Sequence, residues 1–494
     1  MSSGAAACDD RDTDAVIIGA GVNGAAIGRA LSIAGYRVRL VDQADIGAGT
    51  SQASTMMVWG GLLYLRQADI RAVLDLSRDR DRLISTRPDL VRPQSILYVP
   101  GIEESSVAIR VALEAYWALA AGRRSRPHHL TQFPEQVLFA TPQPRAYTFE
   151  EATILESDAR FVLALVQDAE RCGARVQTYT RVDSISSHRD RTWRLGLTDV
   201  LNGQTSEIEA RCVLNAAGGW TDAVNARAGI RSPWRHTFSR GVSITVPRDA
   251  VHTRHIVVGS RIGEALTLAP WGPVALWAST DTVHADLAEA RRSDSSDIEA
   301  LLEEYNRHFH PRRTMSDVIS RRVGVRALPV KSDSAGPSAG VPSRHHRIHA
   351  DPARGWISIY GGKISGCLGL AAEVQTQVER CVAPRVGTAA PPPRASETEL
   401  PDTITFPGVA QPVVTTRWAI EHEHCRTLDD YLRRRTNIAQ WIPCGGFGRH
   451  GEHTGTINTI ALELCRGDHA RASDALIRYR QSLNQPIPMK GLEH

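Results

Sequence analysis

Residues 15–42 read AVIIGAGVNGAAIGRALSIAGYRVRLVD. The run 15–18 is short, apolar and followed at once by glycines, the pattern of a buried parallel strand. From Asn23 to Ala34 the spacing predicts a helix, closed by Gly35. Residues 37–42 alternate and predict a second strand. Together they make a complete βαβ unit. At its first turn stands Gly19-Ala-Gly21-Val-Asn23-Gly24. Glycines there permit a tight turn and close approach of a pyrophosphate to a helix N-terminus. The second strand ends at Asp42, 23 residues after Gly19, where an acid takes a ribose hydroxyl and disfavours a 2′-phosphate.

A dinucleotide on this frame is NAD or FAD. The next stretch favours FAD. Residues 50–65, TSQASTMMVWGGLLYL, bring small hydroxyl side chains and the diglycine Gly60-Gly61 where a plain nucleotide domain continues into helix. Such a loop can pass close to a flavin ring and donate hydrogen bonds. Further on, 66–86, 105–121 and 158–172 carry helical periodicity. Residues 176–200 and 237–282 alternate as antiparallel strands, and 208–214 predicts a strand ending at Asn215-Ala216-Ala217-Gly218. Helix 295–309, strand 355–360 and helix 367–381 follow, the last two joined through Gly361-Gly362-Lys363. Residues 383–401 have the Pro- and Ala-rich composition of a linker, and 414–424, 427–436 and 456–484 read as helices.

Composition narrows the class. With 494 residues, 42% hydrophobic and 23% charged, the chain is an ordinary globular one of several domains. A net charge of +4, with basic residues scattered among acids, speaks against a nucleic-acid partner. No apolar run approaches 18 residues and the N-terminus lacks a signal-peptide pattern, so we expect no stable membrane insertion. Eight cysteines are scattered without a CxxC, which fits a reducing cytoplasm and no metal site. The stretch Arg344-His-His-Arg-Ile-His349 reads as a solvated basic loop. Of 58 basic residues only Lys331, Lys363 and Lys490 are lysine, a bias of the arginine-rich kind that GC-rich coding produces.

The order GxGxxG, acid, TSxAS, GGxxYL, NAAGxW, GVR and GGK resembles the FAD-dependent glycerol-3-phosphate dehydrogenase family, and EHEHCRTLDDYLRRRT at 421–436 is similar to that family's C-terminal helical region. The resemblance covers nearly the whole chain. It implies an α/β fold: a Rossmann-type, amino-acid-oxidase-like FAD-binding core, a substrate domain with an antiparallel or mixed sheet, and a small C-terminal helical domain. The expected boundaries are 14–90, 155–235 and 330–382 for the FAD domain, 91–154 and 236–329 for the substrate domain, 383–401 for the linker and 402–491 for the helical cap.

By the same resemblance, Gly19, Gly21, Asn23, Gly24, Asp42 and Gln43 would hold pyrophosphate and ribose. Thr50, Ser51, Ser54, Gly60, Gly61 and Leu62 would line the flavin, with Val182, Ala216, Ala217, Gly218 and Trp220 on the adenine side. Gly361, Gly362, Lys363, Ile364 and Ser365 would face the ring's pyrimidine edge, where a helix N-terminus and Lys363 stabilise negative charge on the reduced ring. Tyr64, Arg326 and Lys363 are kept as catalytic candidates. The family's phosphate-binding positions are not kept. Its GGLRYL arginine is Leu63, the histidine before the diglycine is Trp59, and the lysine after TSSASS is Met56. Its KGSH is Arg240-Gly-Val-Ser243, and a later position is Leu368. Leucine offers no charge-assisted contact to a phosphate.

The resemblance implies hydride transfer from a secondary alcohol to flavin N5, giving a ketone, and the replacements point to an unphosphorylated polyol, cyclitol or amino sugar as the substrate. Serine at 243 is no general base at neutral pH, so Tyr64, Lys363 or a histidine from elsewhere remains open for that role. The electron acceptor is oxygen, a quinone or a soluble carrier. Two rivals stand beside this reading: a CH–NH oxidase on the same fold, and a flavin-binding protein without turnover.

Overall fold

The computed structural model describes residues 13–100, 105–141, 145–188, 192–262, 265–333, 345–384 and 401–483. Most of the expected linker 383–401 lies outside them, as does Arg344.

In chain order the elements are β1 (Thr13–Ile18), α1 (Val22–Ile33), β2 (Val38–Val41), β3 (Met57–Val58), α2 (Ile70–Thr86), β4 (Val91–Val99), α3 (Ser106–Leu119), β5 (His128–Leu130) and β6 (Ala146–Ile154). Then come α4 (Asp158–Arg171), β7 (Arg175–Gln177), β8 (Thr180–Ser187), β9 (Trp193–Asp199), β10 (Thr205–Asn215), α5 (Thr221–Arg227), β11 (Trp234–Pro247), β12 (His255–Gly259), β13 (Ala265–Trp271), β14 (Val274–Ala278) and β15 (Thr282–His284). The remainder up to the linker is α6 (Leu287–Ala290), α7 (Ser295–His308), β16 (Ser320–Lys331), β17 (Arg347–Asp351), β18 (Trp356–Tyr360) and α8 (Cys367–Cys381).

By contacts the chain divides into two compact units. The first gathers residues 1–49, 162–237 and 327–397. Its sheet runs β17-β18-β10-β1-β2-β7, with β8 and β9 attached beyond β10. β18, β10, β1, β2 and β7 are mutually parallel and both faces are covered, so β1 and β2 are buried along their whole length. The expected βαβ is present, with β1 starting two residues earlier than expected and the other boundaries within one residue.

The second unit gathers 50–161, 238–326 and 398–494. Its sheet runs β15-β11-β14-β13-β12-β4-β6-β3, with β16 on β11 and β5 on β6. It is antiparallel except where β12 runs parallel to β4, a mixed sheet as expected. Residues 50–90, expected in the FAD domain with 14–49, fall in the second unit, where β3 pairs with β6.

The residues after 400 belong to the second unit as well, around a core of Phe406, Tyr431, Leu432, Ile438, Phe447, Ile457 and Tyr479. Two expectations change there. The helix expected at 427–436 is a π-helix over Asp430–Arg435, with Thr436 N–H bonded to Tyr431 O at 3.0 Å. Its wider turn brings the consecutive Arg434 and Arg435 both inside, onto Asp430 and the Glu423 carbonyl. The helix expected at 456–484 is two helices, Thr454–Leu464 and His469–Leu483, parted by Arg466 and Gly467 in left-handed conformation.

Candidate active site

In the first unit, three chain segments converge around the start of α1. Gly19 has φ +109°, and a Cβ there would lie 2.5 Å from Ala216 O. A Cβ on Gly24 would lie 1.8 Å from Gly19 O. Both positions are therefore closed to any larger residue. Gly21 is the N-cap of α1, and no side chain caps the helix. The positive end of the helix dipole at this turn suits an anion such as a pyrophosphate. Asp42 accepts from Ala20 N–H at 2.6 Å and Ala44 N–H at 2.8 Å, which fixes its carboxylate at the tip of β2. Gln43 follows it, half-buried.

Asn23 is the hinge pin of this unit. Its Nδ2 donates to Gly361 O at 2.8 Å, while its Oδ1 is buried without a hydrogen-bond partner. Gly362 has φ +105°, and a Cβ on it would lie 2.7 Å from Asn23 Nδ2. The turn Gly361-Gly362-Lys363 then enters a 3₁₀ turn, Ile364–Gly366, and α8. Ser365 is buried, whereas Lys363, Ile364 and Leu368 are half-buried. Gly366 is the N-cap of α8, which places the helix's positive end at this turn.

Ala216, Ala217 and Gly218 follow β10, with Gly218 at φ +59°, and lead through Trp220 into α5. Val182 is buried in β8, and its carbonyl accepts from Arg227 at 2.9 Å. A tight glycine cradle, two helix N-termini and a buried amide oxygen without a hydrogen-bond partner fit a bound dinucleotide.

The second unit holds the hydroxyl-and-glycine loop. Thr50 Oγ1 donates to Val325 O at 2.5 Å, Ser54 N–H to Asp158 at 2.7 Å, and Met56 N–H to Ser54 Oγ at 2.9 Å. Gln52 O accepts from the buried Arg322 at 2.5 Å, and its side-chain oxygen from Arg434 at 3.0 Å. Arg322 itself pairs with Asp158 at 2.6 Å, both buried. Ser51 is half-buried. Met56 is buried at φ 57°, Trp59 packs on the cluster around Tyr64, and Leu62 opens a 3₁₀ turn in which Leu63 is exposed. Tyr64 is 8% exposed.

Arg326, in the middle of β16, is seated by residues the sequence did not flag. It donates to Ser239 at 3.1 Å and Ser279 at 2.8 Å, and lies 3.8 Å from Asp281, to which Ser239 also donates. Gly241 makes room for it, because a Cβ there would lie 2.6 Å from Arg326 Nη2. Strand periodicity puts Ser239, Gly241 and Ser243 on this face of β11 and Arg240 on the other. Arg240 accordingly pairs with Asp297 of α7 at 3.2 Å. Arg240 and Ser243 therefore do not share a pocket wall as expected, since three residues along a strand reverse the face. Ser243 is buried at 2% exposure.

Of the expected basic loop, His346 pairs with Glu373 at 3.1 Å and His349 lies in β17. Among the described residues no helix is long and apolar enough to cross a membrane.

The comparisons agree with this geometry. A family model described as FAD dependent oxidoreductase (DAO) matches residues 14–366. D-Erythritol 1-phosphate dehydrogenase from Brucella abortus is 29% identical over 361 residues, 71% of this chain and 70% of that protein. Glycerol-3-phosphate dehydrogenase 2 from Mycobacterium tuberculosis is 29% identical over 373 residues, 73% of this chain and 62% of that protein. The glycerol-3-phosphate dehydrogenase of Bacillus halodurans complexed with FAD shares the fold, with a TM-score of 0.68 at 17% identity over 97% of both chains. Glycine oxidase from Geobacillus kaustophilus shares it with a TM-score of 0.54 at 20% identity, over 75% of this chain and 95% of that one. The glycine cradle, the fixed Asp42 and these matches together show that the chain belongs to the FAD dependent oxidoreductase family, with FAD as its cofactor.

Proposed function

We propose that the protein oxidises a secondary alcohol to a ketone, on an unphosphorylated polyol, cyclitol or amino sugar. The observation that carries the substrate class is the stretch Thr50–Leu65, which contains no lysine, arginine or histidine. Two relatives are named for phosphate esters, D-erythritol 1-phosphate and glycerol 3-phosphate. A buried phosphate needs several charged or N–H partners, and Met56, Trp59 and Leu63 supply none.

FAD, when bound, accepts the hydride that leaves the alcohol carbon. The chain's own part is positional. In the first unit Gly19, Gly21, Gly24 and Asp42 would hold the dinucleotide; in the second, Thr50, Ser54 and Gly60-Gly61 shape a loop of the kind that suits a flavin ring. The α8 end with Lys363 balances charge on the reduced ring. Arg326, held by Ser239 and Ser279, presents a fixed cation that can hold a substrate hydroxyl or carboxylate oxygen. Tyr64 and Lys363 are the groups in reach of a proton-transfer role by type. The electrons leave to oxygen, a quinone or a soluble carrier, and the setting is the cytoplasm.

The test is anaerobic mixing of the holoprotein with polyols, cyclitols, amino sugars, amines and glycerol 3-phosphate, followed by flavin absorbance. Bleaching by unphosphorylated alcohols without ammonia release is the expected result. Bleaching by glycerol 3-phosphate at lower concentration than by any neutral alcohol would overturn the substrate class. Ammonia release from an amine would favour the CH–NH reading, and no bleaching by any compound would favour a protein without turnover.

A further inference from the structure

Behind the diglycine turn lies a buried polar trio that neither the dinucleotide cradle nor the Arg326 seat uses. Glu151, in β6, accepts from Gly60 N–H at 3.0 Å, from Arg80 Nη1 at 2.8 Å and from Tyr116 OH at 2.5 Å. Arg80 Nη1 also donates to Tyr116 OH at 3.1 Å, and Arg80 Nε to Asp81 at 3.1 Å. Ser77, on the same helix as Arg80, donates to Gly60 O at 3.0 Å. Both backbone polar groups of one glycine are therefore gripped by side chains. The Arg80 and Glu151 side chains are fully buried.

Gly60 has no room to move toward them. A Cβ on it would lie 2.3 Å from Tyr116 OH and 2.7 Å from Arg80 Nη1. Gly61, at φ +97°, is pressed against Val73 Cα in α2. A buried ion pair of this kind is a poor way to gain stability, since hydrophobic replacements of the same volume are often neutral or better. Its parts come from α2, α3 and β6, and they meet at one backbone amide. That convergence calls for a positional role.

We infer that Glu151 is a positioning residue for the bound flavin: with Arg80 and Tyr116 behind it, it fixes the Gly60 peptide and sets the charge balance behind that turn. The inference rests on the assignment of the 50–61 loop to the flavin. It does not depend on which substrate is oxidised.

The test uses the FAD-loaded full chain and no substrate. Glu151→Gln removes one of the two carboxylates on Arg80 and leaves Asp81 as the other, so the positive charge behind the turn rises and the reduced, negatively charged ring is favoured about tenfold. In a dye-equilibrated reductive titration that is a rise of roughly 30 mV for a two-electron couple. Tyr116→Phe keeps both charges and frees one carboxylate oxygen, so the turn loosens. The FAD dissociation constant then rises about threefold and the flavin visible band shifts. Glu114→Gln, on the outer face of α3, leaves potential, band and affinity unchanged. A Glu151→Gln protein that binds FAD stoichiometrically with an unchanged or lowered potential overturns the inference. If Glu151→Gln does not fold, Tyr116→Phe decides, and wild-type FAD affinity together with a wild-type band overturns it. Because no alcohol is present, failure here is separable from failure of the alcohol reading.

Discussion

The Asn23 side chain donates to the carbonyl of Gly361 across 338 residues of sequence, at 2.8 Å. It thereby ties the start of α1 to the turn that leads into α8. Gly362 must stay small for this tie to close. Gly362→Ala should weaken FAD binding at least tenfold and cost about 1–3 kcal/mol, from the left-handed backbone and the clash together. Asn23→Ala alone should cost about 1 kcal/mol. The double variant should lose less than the sum, because Asn23→Ala removes the atom that a Gly362 Cβ meets. Flavin-fluorescence quenching on reconstitution of the apoprotein measures all three.

Gly241 and Arg326 give a prediction on the substrate side. Gly241→Ala should push the guanidinium off Ser239 and Ser279, raising KM for the oxidised alcohol about tenfold. FAD content should stay at the wild-type level. Arg326→Met should lower kcat/KM by about 100-fold, the loss of one charge-assisted contact of roughly 3 kcal/mol. Steady-state kinetics with absorbance-based FAD stoichiometry checks both. Wild-type kinetics for Gly241→Ala would remove Arg326 from the substrate site.

Leu63 is exposed, so a charge there costs little. Leu63→Arg should make glycerol 3-phosphate a better reductant of the flavin and inorganic phosphate a competitive inhibitor of the alcohol reaction. Stability should change by less than about 0.5 kcal/mol. Stopped-flow reduction rates compared with wild type decide the point, and an unaltered response to both phosphates would count against a phosphate-poor pocket as the cause.

A pH effect follows from β12 and its approach. Burial, helped by His252 and Arg92, pushes His255 down to about 3; burial and Arg248 push His252 down to about 4. An unfolded histidine titrates near 6.5. Between that value and about 4 the unfolded chain binds protons that the folded chain refuses. Stability is therefore full above pH 6.5 and falls as pH drops, by about 1.4 kcal/mol per unit for each histidine. The urea midpoint should decline steadily from pH 7 to 5, and His255→Gln should flatten that slope. An identical slope in the variant would show that other groups set the acid limit.

The first βαβ was legible because everything that defines it is local: a short apolar run, a glycine turn, a helical spacing and an acid. The hydroxyl-and-glycine loop at 50–65 stood out by composition but not by placement, because the pairing of β3 with β6 joins residues about 95 apart. The seat of Arg326 was half legible. Arg326 stood out, but Ser239, Ser279 and Asp281 are ordinary strand and turn residues until the sheet brings them together. Parity along β11 was readable and separates Arg240 from Ser243. The break at Gly467 was readable too, as a glycine after a helical run. The π-turn at Asp430–Arg435 was not, because it depends on where Arg434 and Arg435 find their acceptors. Glu151 carried no signal, since its partners lie 35 to 91 positions away.

The link from Arg434 to Gln52 joins two residues 382 positions apart. On a ribosome the Gln52 loop emerges long before its partner is made. Arg160 likewise waits for Glu423, 2.7 Å away in the finished unit, and Thr245 for the carbonyl of Gln440. The second unit therefore cannot be completed during synthesis of its first two-thirds, and its Gln52 loop stays unclamped until the last segment is released. Premature termination anywhere after the linker leaves a chain with every strand of both large sheets made but the Gln52 loop and Arg160 without their C-terminal partners, a species for chaperones and proteases rather than a slower enzyme.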